Sequence, residues 1–231
     1  RHSIIDAADR FGAEEVIGEP VCNHLHLQKM CSRLDYIETG LEVDLMPAAA
    51  YTAEQSARGR VSVLLGYFRH KPAPRTLYLP PVYRAPLAYL YAGMEVERSF
   101  AEPAGGLPDT GATEGDVQLF PAAQVARIAI GRIGADFAAF AAKRVEEAAA
   151  NGAEVFQLWL PLTSPFAAAA TDLLRRRGFF LGGALPGRQG GDGLLMQKLR
   201  GDTDWAAIVL YSDRAKRIAE FVRGDQQAVR R

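Results

Sequence analysis

Cysteine is scarce in this chain: Cys22 and Cys31 are the only two among 231 residues. Two cysteines cannot build the disulfide framework of a small secreted scaffold, and their places beside a strand end and in a helix point to a reducing, cytoplasmic compartment. Net charge is missing too, with 27 basic residues against 27 acidic ones. No global field therefore draws the protein to nucleic acid or to an anionic membrane, and binding partners must be argued locally. No apolar run approaches the roughly 20 residues that span a bilayer, and no signal-peptide pattern opens the chain. A Ser-His-Asp constellation and a nucleotide P-loop are also lacking. The chain starts at Arg1 rather than at an initiator methionine, so a preceding segment is expected.

What the chain does have is apolar material, 48% of its residues, enough for a substantial core in one or two domains. Its abundant alanine and arginine point to a GC-rich bacterial source. Residues 124–199 organise the rest, because they alternate strand, helix, strand, helix, strand, strand with little between.

Val125 to Ile133 is apolar on both faces and reads as a strand covered on both sides. The period then becomes helical: Phe137, Phe140, Ala141, Val145 and Ala148 share a stripe, and Asn151-Gly152 stops the helix. A second buried run, Val155 to Leu162, is interrupted by Pro161. Its missing N–H predicts a strand unpaired on one side near its end. Ser164-Pro165 predicts the start of a second helix and Gly178 its end. Phe179 to Ala184, a glycine-rich turn and Leu194 to Leu199 predict a hairpin.

A strand that parts from its neighbour beside a helix N-terminus makes a ligand slot, since free strand groups bond an amide chain and the helix tip attracts phosphate. The order β-α-β-α-β-β, with Gly178-Phe179-Phe180 after the second helix, resembles the C-terminal part of the GCN5-related N-acetyltransferase (GNAT) fold. The resemblance covers about residues 73–200, by pattern more than by identity. Arg75 to Leu79, Val82 to Met94, Glu95 to Phe100 and Gly115 to Phe120 are expected to supply its front half as strand, helix, strand and strand. The fold class implied is α/β, a mixed and mainly antiparallel acetyltransferase-like sheet flanked by helices, preceded by a partial copy.

Laying FGAEEV at 11 over NGAEVF at 151 exposes an internal repeat: Asn23 falls near Ser164, Asp35 near Gly178 and Gly40 near Gly183. Residues 1–72 then read as the C-terminal half of a first acetyltransferase-like domain, 73–200 as a complete second one and 201–231 as a helical tail. In the first part, Glu15 to Val21 is a strand, His24 to Arg33 a helix capped by Asn23, and Leu41 to Met46 pairs with Arg60 to His70 across a short helical piece at Thr52 to Arg58. The tail is expected to be helical over 201–223, capped by Thr203 or Asp204. Residues 101–116, rich in glycine and proline, are expected to form a mobile surface loop.

For the site, the resemblance implies acetyl-CoA as cofactor. Arg132, Ile133, Gly134 and Ala135 would hold its pyrophosphate, while Leu160, Leu162, Thr163 and Ser164 would line its pantetheine arm. Asp136 stands against this, as a carboxylate at the helix tip repels phosphate. The family tyrosine is replaced by Leu174, and by Cys31 in the first copy. Glu97, Glu114 and Asp116 are the nearest carboxylates for a general base. Two functions follow: an acetyl-CoA-dependent N-acyltransferase acting on an amine, or a non-catalytic acetyltransferase-like module that binds a ligand or partner within a larger bacterial signalling protein. A second copy of the chain or a missing N-terminal domain is the expected protein partner. Cys22, His24, His26 and Cys31 do not read as a metal site, because His24 and His26 diverge on a helix start. Arg175 to Arg177 reads as a solvated helix end.

Overall fold

The alternating apolar runs form ten strands and six α-helices among the described residues, with short 3-10 turns between them. The structure, a computed structural model, describes residues 2–13, 15–51, 59–188 and 191–230. In chain order the elements are α1 (His2–Arg10), β1 (Glu15–Gly18), α2 (His26–Arg33), β2 (Ile37–Met46), β3 (Val61–Arg69), β4 (Arg75–Tyr78), α3 (Arg84–Ala92) and β5 (Arg98–Ala101). They continue with β6 (Glu114–Phe120), β7 (Val125–Arg132), α4 (Phe137–Ala150), β8 (Val155–Pro161), α5 (Ala167–Arg175), β9 (Phe180–Pro186), β10 (Asp192–Leu199) and α6 (Asp213–Val229). The helical piece expected at Thr52 to Arg58 lies outside the described residues.

Eight strands make one sheet in the order β1-β3-β2-β9-β10-β8-β7-β6. All its ladders are antiparallel except β7 with β8. The protein is thus α/β, with a mixed, mainly antiparallel sheet flanked by helices. Two units of the same β-α-β-β connectivity lie within it. In one, β1, α2, β2 and β3, the last strand pairs between the other two; in the other, β8, α5, β9 and β10, it does the same. The units meet where β2 touches β9, and Gly40 opposite Gly183 is the one ladder pair between them among the described residues. Gln197 of β10 reinforces that seam, its Nε2 donating to Leu41 O and its Oε1 accepting from Val43 N, both at 2.8 Å.

Strand alternation sorts the side chains between two faces. Phe156, Leu158 and Leu160 of β8, Ile128 and Ile130 of β7, and Leu194 and Met196 of β10 join the large core beneath helices α3 to α6. The other face is concave and also buried. β2 and β8 are two strands apart, yet Gln157 Nε2 donates to Glu42 Oε1 at 2.6 Å. Arg60 Nη2, leading into β3, reaches Ala123 O before β7 at 2.7 Å. Bonds between such distant strands require the sheet to curl upon itself, burying Leu65, Tyr67, Trp159, Leu185 and Leu195 inside.

Several expected boundaries are displaced. Asn23 and Ser164 do not cap helices: α2 starts at His26 and α5 at Ala167, each without a side-chain cap bond. Ser164 Oγ instead accepts from Phe166 N at 3.3 Å and closes a tight turn. In the tail Asp204 caps only a short 3-10 turn, Trp205–Ala207, its Oδ1 accepting from Ala206 N at 3.1 Å. The long helix is capped by Ser212, whose Oγ accepts from Ala215 N at 2.9 Å, and runs 213–229 rather than 201–223. Of the expected front-half strands only β6 joins the large sheet; β4 and β5 pair parallel with each other, apart from it.

The arginine run at the end of α5 is solvated only in part: Arg176 is exposed, but Arg175 and Arg177 are half-buried and bonded to other elements. Arg175 forms an ion pair with Asp225 of α6 and donates to Tyr83 Oη at 2.9 Å, while Tyr83 Oη donates to Asp225 Oδ2 at 2.6 Å. Leu181 N also donates to that carboxylate, at 2.8 Å, so one acid on the last helix ties α6 to α5, β9 and the turn before α3. Burial and the neighbouring Asp225 charge push the Tyr83 phenol far above its ordinary value, keeping it a neutral donor.

Candidate functional site

Parallel strands β7 and β8 are bonded from Val125 opposite Val155 to Ala129 opposite Trp159, and there the ladder ends. β7 continues through Arg132 without that partner. β8 continues to Pro161 paired only with β10, where Pro161 sits opposite Gly193. Proline has no N–H to offer a neighbour, which suits a strand leaving one ladder. Beyond it, Leu162 O accepts from Tyr78 N of β4 at 2.8 Å, which ties the short parallel pair to the chain just after β8.

Between the parted ends lies an open cleft of about 390 Å³. Arg132, Ile133, Thr163 and Ser164 line it, together with Pro108 and Thr110 of the loop before β6. The other four residues expected to contact a cofactor are placed elsewhere. Leu160 and Leu162 are fully buried in the core. Gly134 is buried beneath residues 111–113, and Ala135 is exposed but has its N–H bonded to that same loop.

That cover decides the chemistry of the helix tip. Gly134 N donates to Thr113 Oγ1 at 3.0 Å, and Ala135 N to Gly111 O at 2.9 Å. Asp136 places its carboxylate on the same loop, where its Oδ1 accepts from Thr113 N at 2.6 Å. Thr113's hydroxyl and backbone N–H hold the Asp136 carboxyl below its ordinary value, so it is charged near neutral pH. A side chain at Gly134 would meet Ala112 C at 2.4 Å, which shows how closely the loop backbone lies on it. The segment expected to be a mobile surface loop is therefore bonded to the start of α4 at its 111–113 end. The two amides best placed for a phosphate are already satisfied, with a negative charge beside them.

Comparison with family models, curated proteins and solved structures finds no match to this chain.

The remaining candidates for catalysis do not assemble in the cleft. Glu114 is ion-paired with Arg132 at its rim, while Glu97 and Asp116 are exposed and do not line it. Leu174 is fully buried in the core. Cys22 and Cys31 are free and buried, and the His24 and His26 rings lie 5.5 Å apart and tilted. Burial pushes the Cys22 thiol up to about 12, so it is no nucleophile near neutral pH.

Sequence reading missed a polar cluster inside the curl. Glu42 accepts from Gln157, Gln157 Oε1 accepts from Arg127 Nε at 2.8 Å, and Arg127 Nη2 lies 3.6 Å from Glu42. Arg188 stacks 4.9 Å from the Trp159 ring centroid nearby. The polar Gln157 in the apolar run VFQLWL was the available signal. Burial pushes the Glu42 carboxyl up to about 7, with the Glu19 charge adding to it and Arg127 and Gln157 opposing it.

This carboxyl makes stability depend on pH. Its folded value lies above the unfolded 4.5, so the folded state holds the proton longer. The stability it contributes is full below 4.5 and is lost as pH rises toward 7, by up to about 1.4 kcal/mol per pH unit. Glu42→Gln is expected to flatten the decline of denaturation midpoint across that window and to raise stability at alkaline pH. Parallel pH profiles for both proteins would sink this assignment.

Proposed function

We propose that this chain is a non-catalytic module of acetyltransferase-like (GNAT) architecture, binding a ligand or partner rather than transferring an acyl group. One observation carries the reading: the Gly134 and Ala135 amides, where a coenzyme pyrophosphate would rest, are bonded to Thr113 Oγ1 and Gly111 O, with the Asp136 carboxylate alongside. Admitting a pyrophosphate there means breaking those bonds and placing like charges together, both unfavourable. The core position of Leu174, where the family places a proton donor, agrees with this. The resemblance itself is supported by the strand order β7-β8-β10-β9 and by the matching β1-β3-β2 unit; the off-sheet placement of β4 and β5 limits it.

Calorimetry with acetyl-CoA at millimolar concentration is expected to show no saturable heat. An acetyl-CoA-dependent N-acyltransferase remains the second reading, because β7 and β8 do part after Ala129 and Trp159 and leave a cleft. Saturable acetyl-CoA binding, weakened by Arg132→Glu at the cleft wall and accompanied by thiol release on adding amines, would replace the first reading with the second.

A further inference from the structure

The edge strand β6 pairs on one side only, with β7, among the described residues. Its seven residues are exposed or half-buried, and Val117 and Leu119, 39% and 40% exposed, are large apolar side chains left in water. Open edges of this kind are usually blunted by lysine, proline or a central bulge, because free N–H and C=O groups template further pairing. β6 contains neither lysine nor proline, and its one irregularity lies at its start, between Glu114 and Gly115.

We propose that this edge is an interface between two copies of the chain, which pair antiparallel about Val117 so that their sheets run on into one another. The sequence of β6 is complementary to itself in that register. Val117 meets Val117, Leu119 lies opposite Gly115 with space for its side chain, and Asp116 lies opposite Gln118. No two acids face one another over 115–119, whereas like charges directly opposite are destabilising. Val117 and Leu119 share the face of their β7 partners Ile128 and Ala126, which are buried in the large core. Pairing would therefore extend an existing apolar layer. Equal numbers of acidic and basic residues leave no net repulsion between copies.

Light scattering from micromolar to hundreds of micromolar protein is expected to give twice the 25.1 kDa chain mass, and Val117→Lys to give the single chain with unchanged circular dichroism. Register has its own readout. Across an antiparallel pair the β-carbons lie about 4.5–5.5 Å apart, so Val117→Cys is expected to form a disulfide-linked dimer on mild oxidation, whereas Gln118→Cys, facing Asp116, does not. Cys22 and Cys31 are buried and do not compete. A single chain at every concentration, including one that pairs only with a foreign peptide, would overturn the proposal; so would a dimer indifferent to Val117→Lys.

Discussion

Arg98→Ala is expected to cost about 3–5 kcal/mol of unfolding free energy, a large share of the total for a domain of this size. The Arg98 side chain is 2% exposed and that of Asp192 fully buried. They meet through two bonds, Nε to Oδ2 at 2.7 Å and Nη2 to Oδ1 at 3.0 Å. Arg98 Nη1 also donates to Ala73 O and Glu97 O, so the guanidinium locks the parallel pair β4 and β5 to the start of β10. Removing the cation leaves Asp192 buried with weaker help, from Gly187 N at 3.3 Å, from Arg75 Nε at 3.8 Å and from the Tyr91 hydroxyl. An unpaired buried charge is the costly state, so Arg98→Ala with Asp192→Ala should lose less than the two singles summed. Arg200→Ala supplies the contrast. Its partner Glu154 lies 3.6 Å away and both are substantially exposed, so about 0–1 kcal/mol is expected. Urea denaturation of the four variants checks the series. A loss for Arg98→Ala no larger than for Arg200→Ala would mean that the buried pair does not hold the layers together.

Local pattern and long-range closure were legible to different degrees. Periodicity places β7, α4, β8, β9 and β10 within a few residues, because each side chain there answers to one adjacent layer. Caps are less secure: serine and asparagine close turns as readily as they start helices, and Ser164 closes a turn. Contacts between distant segments left no local trace. Arg175 in a run of three arginines looks solvated until Asp225, 50 residues later, folds back upon it. Gly134-Ala135 before a helix looks like a phosphate cradle until Thr113, 21 residues earlier, takes the Gly134 amide. The cleft follows from a proline in a strand; its closed helix tip follows from a loop that composition alone describes as rich in glycine and proline and mobile.

Gly183→Val is expected to lose at least about 3 kcal/mol, from backbone strain and overpacking together. Gly183 has φ +150°, a region that side-chain-bearing residues rarely adopt, and a Cβ there would lie 2.4 Å from both Gly40 Cα and Thr39 O. From the other strand, a Cβ on Gly40 would meet Gly182 O at 2.7 Å. These obstacles are backbone atoms, which cannot rotate away as a side-chain tip can. Each glycine belongs to the second strand of its β-α-β-β unit, so the two units touch at equivalent places where neither tolerates a side chain. Wedging them apart would also strain the Gln197 bonds to Leu41 O and Val43 N, which supplement the single ladder pair. Because either substitution opens the same seam, Gly40→Ala combined with Gly183→Ala should cost clearly less than the sum of the singles. Additive losses, or a near-neutral Gly183→Ala, would show that the seam yields without consequence and that the two halves are joined chiefly through α6, which packs across both β2 and β9.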